Sequence, residues 1–322
     1  IIALVAFNVL RTRKQIFFFL VFFLGCYAFF PARAGIFGFL FYGGGRTAWR
    51  GLFGNPNDLA AISLLPLSMC LGLYFSARNA LIRLVSLAGI GTLALVVIFT
   101  QSRGALVAML VFAVAALVTT SGKERLRLIY AFMLAALVAI PMMPQSAIER
   151  YKGLLKIGTS SEQLKEVDPE GSAEQRFEIW KVARRIIAQN PVTGIGLGAY
   201  KLAHAERAMD GDFLRTARGR RDAHSTYFSV TAETGVLGLV FFCGIFLSAA
   251  LRAEKIRRLA RTHSPSDAAQ ILYLQLGLLA FFVAGIWGSY ERISVTYVHT
   301  ALLWCFSAVV ARELAQRGVR VD

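Results

Sequence analysis

The chain has 322 residues, of which 56% are hydrophobic and 17% charged, and its formal net charge is +16. Soluble domains carry about 45–50% apolar and about 25% charged residues, so this composition excludes a soluble globular protein. The apolar residues are clustered in runs that are apolar on every face. Such runs predict membrane-spanning helices and exclude an outer-membrane barrel, whose strands alternate apolar and polar residues.

Nine apolar segments are predicted in chain order as complete or partial membrane crossings. They are residues 1–10, 15–30, 58–76, 81–100, 104–120, 126–143, 226–250, 270–287 and 295–311. The segments predict an all-α, polytopic integral membrane protein. Because the chain starts inside an apolar run, we also expect that it lacks its N-terminal part.

The distribution of basic residues selects one orientation in the membrane. If the connection at residues 11–14 is cytoplasmic, the cytoplasmic connections carry 16 Lys and Arg residues and the opposite short connections carry 5. Short cytoplasmic loops are rich in Lys and Arg, so this pattern explains the net charge without a nucleic-acid partner.

One connection is much longer than the others. Residues 144–225 span 82 positions on the non-cytoplasmic side, and they separate a membrane domain at 1–143 from a second at 226–322. Loops of this length are usually functional or disordered, and we expect a small, partly helical domain. A helical pattern that starts at Ser172 places Arg176 and Trp180 on one face and ends at Asn190, before Pro191.

Three motifs carry polar residues that the helices alone do not explain. Arg103 occupies a short turn at residues 101–104, where it either extends to the interface or clamps a phosphate-bearing ligand. The glycine-rich stretch 190–200 lacks the spacing of a nucleotide-binding loop, so we expect a tight turn that approaches another element. Asp210 and Asp212 come nearest to an Asp-X-Asp metal pair, and no metal site is predicted.

The third motif, residues 224–238, leads from the long loop into the next apolar segment. His224 lies at the mouth of that segment, where it is either an exposed interfacial residue or a base acting near neutral pH. Tyr227 belongs to the same motif. Glu233 is predicted at membrane depth, where an acidic group is costly unless paired and is a functional candidate.

Taken in order along the chain, these motifs resemble the O-antigen ligase and O-antigen polymerase family of bacterial inner membranes. The resemblance covers roughly residues 50–311 and implies that the first helices of the family precede this chain. It also implies a metal-independent, cofactor-free glycosyltransferase of the GT-C type, with its long loop and active site facing the periplasm. The donor would be a glycan on undecaprenyl diphosphate, and the acceptor a hydroxyl on lipid A-core or another glycan.

The resemblance also assigns roles to residues of this chain. The essential histidine of the family matches His224, and its essential arginines match Arg103 and Arg176. Trp180, Tyr227 and Glu233 are expected to support them. A single displacement with one base predicts inversion at the anomeric carbon. A basic cluster has no counterpart in the family pattern; it comprises Arg215, Arg218, Arg220 and Arg221.

Other functions are compatible with parts of the sequence. Ligase, polymerase and protein O-oligosaccharyltransferase share these motifs, so the sequence leaves the acceptor open. A transporter of lipid-linked glycans is the alternative from another class, although no internal repeat is visible. A third alternative, an interaction protein that presents residues 144–225, leaves Arg103 and His224 unexplained.

Overall fold

The computed structural model describes residues 2–41, 46–49, 54–120, 122–143, 145–152, 172–209, 213 and 215–321. Asp210 and Asp212 lie outside these residues. Thirteen α-helices, and no β-strand, are found in the described ranges. They are α1 (Ile2–Val9), α2 (Arg13–Tyr27), α3 (Arg33–Phe41), α4 (Pro56–Ser76), α5 (Ala80–Phe99), α6 (Arg103–Thr119), α7 (Gly122–Met142), α8 (Gln145–Lys152), α9 (Ser172–Gln189), α10 (Tyr200–Met209), α11 (Thr226–His263), α12 (Pro265–Ala284) and α13 (Ser294–Gln316). The predicted all-α fold is confirmed.

Six helical segments in the described ranges are long and apolar enough to cross a membrane, by length and composition. They are Arg13–Phe41, Pro56–Ser76, Ala80–Phe99, Thr226–His263, Pro265–Ala284 and Ser294–Gln316. Arg103–Thr119 is a shorter apolar helix. The protein is therefore a polytopic helical membrane protein.

The chain divides into two compact units. The first comprises Ile1–Pro144, Phe246–Ala284 and Ile293–Asp322, and the second comprises Gln145–Ile245 and Gly285–Arg292. The second unit therefore contains the long connection, the first half of α11 and the short segment before α13.

The core of the first unit is formed around α4, which is buried from Leu59 to Leu73. Small residues let α12 approach this helix closely. A Cβ added to Gly277 would lie 2.1 Å from the Ser68 hydroxyl oxygen. Small residues at such contacts are typical of helix packing in membranes. At its N-terminus, α4 is capped by Asn55, whose side chain accepts from the Asn57 N–H at 2.9 Å, and asparagine is a favoured residue at this position.

The second apolar segment is longer than the sequence predicts. The apolar run predicts an end at residue 30. The next residue, Pro31, lacks an N–H, and a proline inside a helix clashes with the preceding turn. Instead, a single π-helical turn at Ala28–Ala32 contains Pro31 and connects α2 to α3. A wider turn of this kind accommodates the proline inside a helix. Likewise, α11 runs on to His263, into the connection predicted between the segments 226–250 and 270–287.

In the second unit, α9 begins at Ser172 as predicted and buries one face. Val182, Ala183 and Ile186 on that face lie in one apolar cluster with Tyr200 of α10 and Ala232 of α11. Burial of these side chains favours the folded state by roughly 25 cal/mol per Å² of apolar surface. The cluster fixes α9 and α10 relative to the start of α11.

Candidate active site

His224 immediately precedes α11 and has an unusual backbone conformation. Its φ angle is 48°, in the left-handed region that non-glycine residues occupy rarely. Hydrogen bonds hold the residues on both sides. The Trp180 indole donates to the Ala223 carbonyl at 3.0 Å, and the Thr226 N–H donates to the Gly285 carbonyl at 2.8 Å. Strained residues that their surroundings hold in this way are concentrated at active sites.

The electrostatic environment favours the neutral form of the His224 imidazole. Partial burial lowers the pKa of His224, and the positive charge of Arg176 lowers that pKa further. Arg221 and Lys201 act in the same direction, whereas Asp222 opposes them. A neutral imidazole at physiological pH can accept a proton, which is the requirement for a general base.

The structure brings Arg176 and Trp180 of α9 to the His224 segment, as their shared helix face predicts. Trp180 also packs against Phe228 of α11, with ring centroids 5.6 Å apart. Arg176 lies four residues before Trp180 and is the largest charge effect on His224. Tyr227, the second residue of α11, is partly exposed.

The structure accounts for part of the basic cluster that the sequence left unexplained. Arg221 lies close enough to His224 to lower its pKa, whereas Arg218 and Arg220 are exposed. The segment is held by His204, whose Nδ1 lies 3.0 Å from the Gly219 carbonyl oxygen. His204 is fully buried, so this histidine anchors the basic segment.

The glycine-rich stretch forms a tight turn against α11. Gly194, Gly196 and Gly198 all have positive φ angles, which only glycine adopts at little cost. The N–H groups of Ile195 and Gly196 donate to the carbonyls of Ala232 and Glu233, both at 2.9 Å. The predicted approach to another element is thus confirmed.

These carbonyls are available because α11 is interrupted. Gly235 has φ 68° and ψ −174°, which are not helical values. The N–H of the next residue, Val236, donates to the Pro191 carbonyl at 2.8 Å. The turn therefore replaces helical hydrogen bonds that the interruption removes, as buried backbone groups require.

Glu233 lies next to the interruption and has the partner that its burial requires. Its carboxylate accepts from Arg292 Nη2 at 2.8 and 2.7 Å and from the Tyr200 N–H at 3.4 Å. Sequence reasoning missed Arg292, which is 59 residues away. The sequence offered one signal only. Arg292 is the single basic residue of a short connection, and Glu233 is an acidic residue within an apolar segment.

A second carboxylate, Glu291, was also missed. Ser229 donates its hydroxyl to Glu291 Oε1 at 2.6 Å. Burial raises the pKa of Glu291, and the negative charge of Glu233 contributes in the same direction. The segment before α13 thus contributes an acidic and a basic residue to the surroundings of the first half of α11.

Arg103 belongs to the first unit, where it is the first residue of α6. Ser102 caps this helix by accepting from the Ala105 N–H at 3.4 Å. Gln101 has a φ angle of 52°, so this motif also contains a strained residue. Arg46, which sequence reasoning did not single out, donates from Nε to the Thr100 carbonyl at 3.2 Å.

Among the residues that the structure describes, no group of three or more His, Cys, Asp or Glu side chains could hold a metal ion. The polar groups around His224 and the start of α11 instead include several cations, the buried carboxylate of Glu233 and the partly buried carboxylate of Glu291. Together with the fold, they form the candidate site of a polytopic membrane protein.

Comparison with known families is consistent with this description. Residues 88–243 match the family model described as O-antigen ligase, so this part of the chain is similar to that family. The matched segment contains Arg103, Arg176, His224 and Glu233 and ends before Arg292. The family is one of glycosyltransferase-type enzymes. No curated protein in the comparison matches the chain.

Proposed function

We propose that the protein transfers a glycan from undecaprenyl diphosphate to a hydroxyl acceptor, and that the acceptor is lipid A-core. The observation that carries this proposal is His224, which has a strained backbone and a pKa that burial and the charge of Arg176 lower. A base next to a cation suits a reaction in which a hydroxyl loses a proton while a leaving group gains negative charge.

In the proposed step, the acceptor oxygen attacks the anomeric carbon of the donor glycan. The bond from that carbon to the diphosphate oxygen breaks, and the electron pair leaves with the diphosphate. His224 takes the proton of the acceptor hydroxyl. A single displacement of this kind inverts the anomeric configuration.

Arg176 stabilises the developing charge of the diphosphate in this mechanism, without a metal ion. Preorganised cations in a water-poor site can contribute several kcal/mol to such a transition state. Arg103 is assigned to the same diphosphate because it matches the family motif. Its place in the first turn of α6, after a strained residue, supports this role.

The charge distribution supports a location in the bacterial inner membrane with residues 144–225 in the periplasm. The donor and the lipid-linked acceptor would then be reached from the outer leaflet. A polymerase or a protein O-oligosaccharyltransferase would use the same donor chemistry with a different hydroxyl.

The proposal is tested with purified protein in proteoliposomes that contain a labelled undecaprenyl-diphosphate glycan and lipid A-core. We expect labelled lipid A-core and free undecaprenyl diphosphate, with no loss of activity in EDTA. Transfer only to a second glycan or to a protein would exclude ligation to lipid A-core. Movement of intact donor across the bilayer would instead identify a transporter. Loss of transfer in EDTA, with rescue by one divalent ion, would exclude the metal-independent mechanism.

A further inference from the structure

A cavity of about 530 Å³ lies in the first unit between α2, α4 and α5. None of the described residues that line it is charged. Glycine keeps part of this space open, because a Cβ added to Gly25 of α2 would meet nothing within 4 Å. Val21 of α2 and Val85 of α5 line the cavity and are 50% and 62% exposed. The cavity is therefore an apolar recess that opens between α2 and α5 toward the bilayer.

The recess has the length of one leaflet rather than of the whole bilayer. On α5 its lining runs from Leu81 to Leu93, a rise of about 18 Å at 1.5 Å per residue. The hydrocarbon core of a bilayer is about 30 Å thick, so one leaflet contributes roughly 15 Å. The lining begins at the end of α5 that the charge pattern predicts to be cytoplasmic. The recess therefore fits one acyl chain of a lipid from that leaflet.

A second cavity, of about 310 Å³, adjoins the recess at the same end of α5. The two cavities share part of their lining, since Phe17, Leu73 and Ile82 border both. Among the described residues, those with charged side chains that line the second cavity are Arg13 and Arg78, and none is acidic. An apolar space thus continues into one whose charged lining is cationic.

The two arginines differ in their partners. Arg13 donates to Asp267 at 2.6 Å and to Glu313 at 2.7 Å, so two carboxylates offset its charge. Arg78 is exposed in the connection between α4 and α5, and the described part of the chain offers it neither a hydrogen bond nor an ion pair. Arg78 therefore supplies an uncompensated positive charge beside the apolar recess.

We propose that the two cavities bind one anionic phospholipid, with an acyl chain in the recess and the phosphate at Arg78. Basic pockets between membrane helices on the cytoplasmic side bind such head groups, and a guanidinium matches phosphate oxygens in a bidentate geometry. Arg103 follows the opposite end of α5, so this lipid is distinct from the proposed glycan donor. The inference does not depend on the proposed function, and its test needs no glycan transfer.

Two other occupants of the recess would behave differently. A lipid held by its acyl chains alone would bind regardless of its head-group charge and of the residue at position 78. A helix from a second copy of the chain would exclude the lipid and form a complex of twice the mass. The test therefore varies the lipid charge, the arginine and the recess separately, and records the mass of each complex.

Native mass spectrometry of the purified full chain in detergent tests the head-group contact. The probes are phosphatidylglycerol, which is anionic, and phosphatidylethanolamine, which is zwitterionic. We expect one phosphatidylglycerol to stay bound, and Arg78→Gln to weaken its binding roughly 10-fold or more, because a charge-assisted contact is lost. Arg127→Gln is the matched control, since Arg127 is an exposed arginine of α7 that lines neither cavity. Equal binding of the two lipids, or of phosphatidylglycerol by Arg78→Gln and the wild-type protein, would overturn the proposal.

Gly25→Leu tests the recess itself. The leucine side chain would occupy the space that the acyl chain needs, so phosphatidylglycerol should bind at least about tenfold more weakly. Gly91→Leu is the matched control. A Cβ on Gly91 of α5 also meets nothing within 4 Å, and Gly91 lines neither cavity. Unchanged binding by Gly25→Leu, or an equal loss in Gly91→Leu, would overturn the proposal.

Val85→Trp keeps the proposal falsifiable if Gly25→Leu does not fold. Val85 is exposed, so a larger side chain fits outside the packed core and narrows the opening of the recess. Val118→Trp is its control, at a position of α6 that is 73% exposed. Weaker phosphatidylglycerol binding in Val85→Trp alone supports the proposal, and unchanged binding would contradict it. A complex of two copies that Val85→Trp dissociates would identify a second copy as the occupant, and would also contradict it.

Discussion

At the scale of single residues, His224 combines a lowered pKa with a strained backbone. Its neighbours Ala223 and Thr226 are held by α9 and by the segment before α13. The backbone on both sides of His224 is therefore positioned by the surrounding structure. Preorganisation of this kind reduces the cost of reaching the reactive geometry.

Replacing His224 separates its role in catalysis from a role in substrate binding. We expect His224→Ala to reduce transfer by about 10²–10⁴-fold, the usual contribution of a positioned base. Donor binding should persist, because arginines hold the diphosphate in this mechanism. His224→Gln can orient a hydroxyl but cannot take its proton, so it should be equally slow. Transfer rates and equilibrium binding of the donor are measured on both variants. Normal transfer by the alanine variant would make His224 an interfacial residue only.

The lowered pKa of His224 predicts a specific pH dependence. The neutral imidazole is the active form, so kcat/KM should be constant above the pKa and fall as the pH drops through it. Because burial and Arg176 lower the pKa, the midpoint should lie below the ordinary histidine value of about 6.5. A pH profile of glycan transfer measures this midpoint. His224→Gln should lack this limb of the profile, and a midpoint above 6.5 would contradict the proposed environment.

Arg103→Lys tests whether that arginine binds phosphate or only extends to the membrane interface. Lysine keeps the charge and loses the planar fork. Transfer should therefore fall at least about tenfold if the contact is bidentate, at unchanged protein abundance. The control is Arg83→Lys, an exposed arginine at the start of α5, which should transfer normally. Wild-type activity of Arg103→Lys would favour the interfacial explanation.

At the scale of elements, the interruption of α11 and the glycine turn form one structural feature. Each supplies the hydrogen-bond partners that the other needs, and Glu233 lies at their junction. A Cβ on Gly235 would lie 2.0 Å from the Val192 carbonyl oxygen, and one on Gly194 would lie 2.4 Å from the Glu233 carbonyl carbon. The two backbones can approach this closely only because both positions are glycine.

Gly235→Ala should therefore destabilise the protein and impair transfer. The added methyl group meets backbone atoms that cannot move aside, and φ at this position is 68°. We expect the free energy of unfolding to fall by at least about 1 kcal/mol. Thermal unfolding in detergent measures the change. Gly244→Ala lies in the same helix, where a Cβ meets nothing within 4 Å, and should be neutral or slightly stabilising. Equal stability of the two variants would contradict the close approach.

Local sequence patterns predicted where helices and turns begin better than they predicted where a helix is interrupted. The N-cap at Asn55, the start of α9 at Ser172 and the turn at Gly194 follow from sequence signals within a few residues. The π-helical turn at Pro31 and the interruption at Gly235 do not, because tertiary contacts decide whether a proline or glycine ends a helix or is accommodated within it. The pairing of Glu233 with Arg292 was hidden for the same reason.

At the scale of the whole molecule, the class of protein was predictable because composition alone distinguishes a membrane protein from a soluble one. The proposed membrane orientation rests on the number of basic residues in the short connections on each side, which is 16 against 5. The proposed reaction needs residues 144–225 outside the cytoplasm, where lipid-linked glycans would meet their acceptor. This orientation is therefore the assumption on which the proposed function depends.

Cysteine labelling tests the orientation directly. In a background where Cys26, Cys70, Cys243 and Cys305 are replaced, Arg220→Cys should react with a membrane-impermeant thiol reagent in intact spheroplasts. Arg258→Cys, on the predicted cytoplasmic side, should react only after the membrane is opened. Both positions are exposed, so access to the reagent depends on the side of the membrane. The reverse labelling pattern would contradict the orientation and the proposed function with it.

The left-handed backbone at His224 lowers the thermal stability of the protein, while the proposed activity needs the histidine side chain at this position. Such a conformation costs a non-glycine residue roughly 1–2 kcal/mol, whereas glycine adopts it freely. Glycine at position 224 would therefore strengthen the fold and remove the imidazole in one step. A search for more stable variants that ignores transfer would favour this replacement, so position 224 has to be held fixed when the protein is engineered for work in detergent.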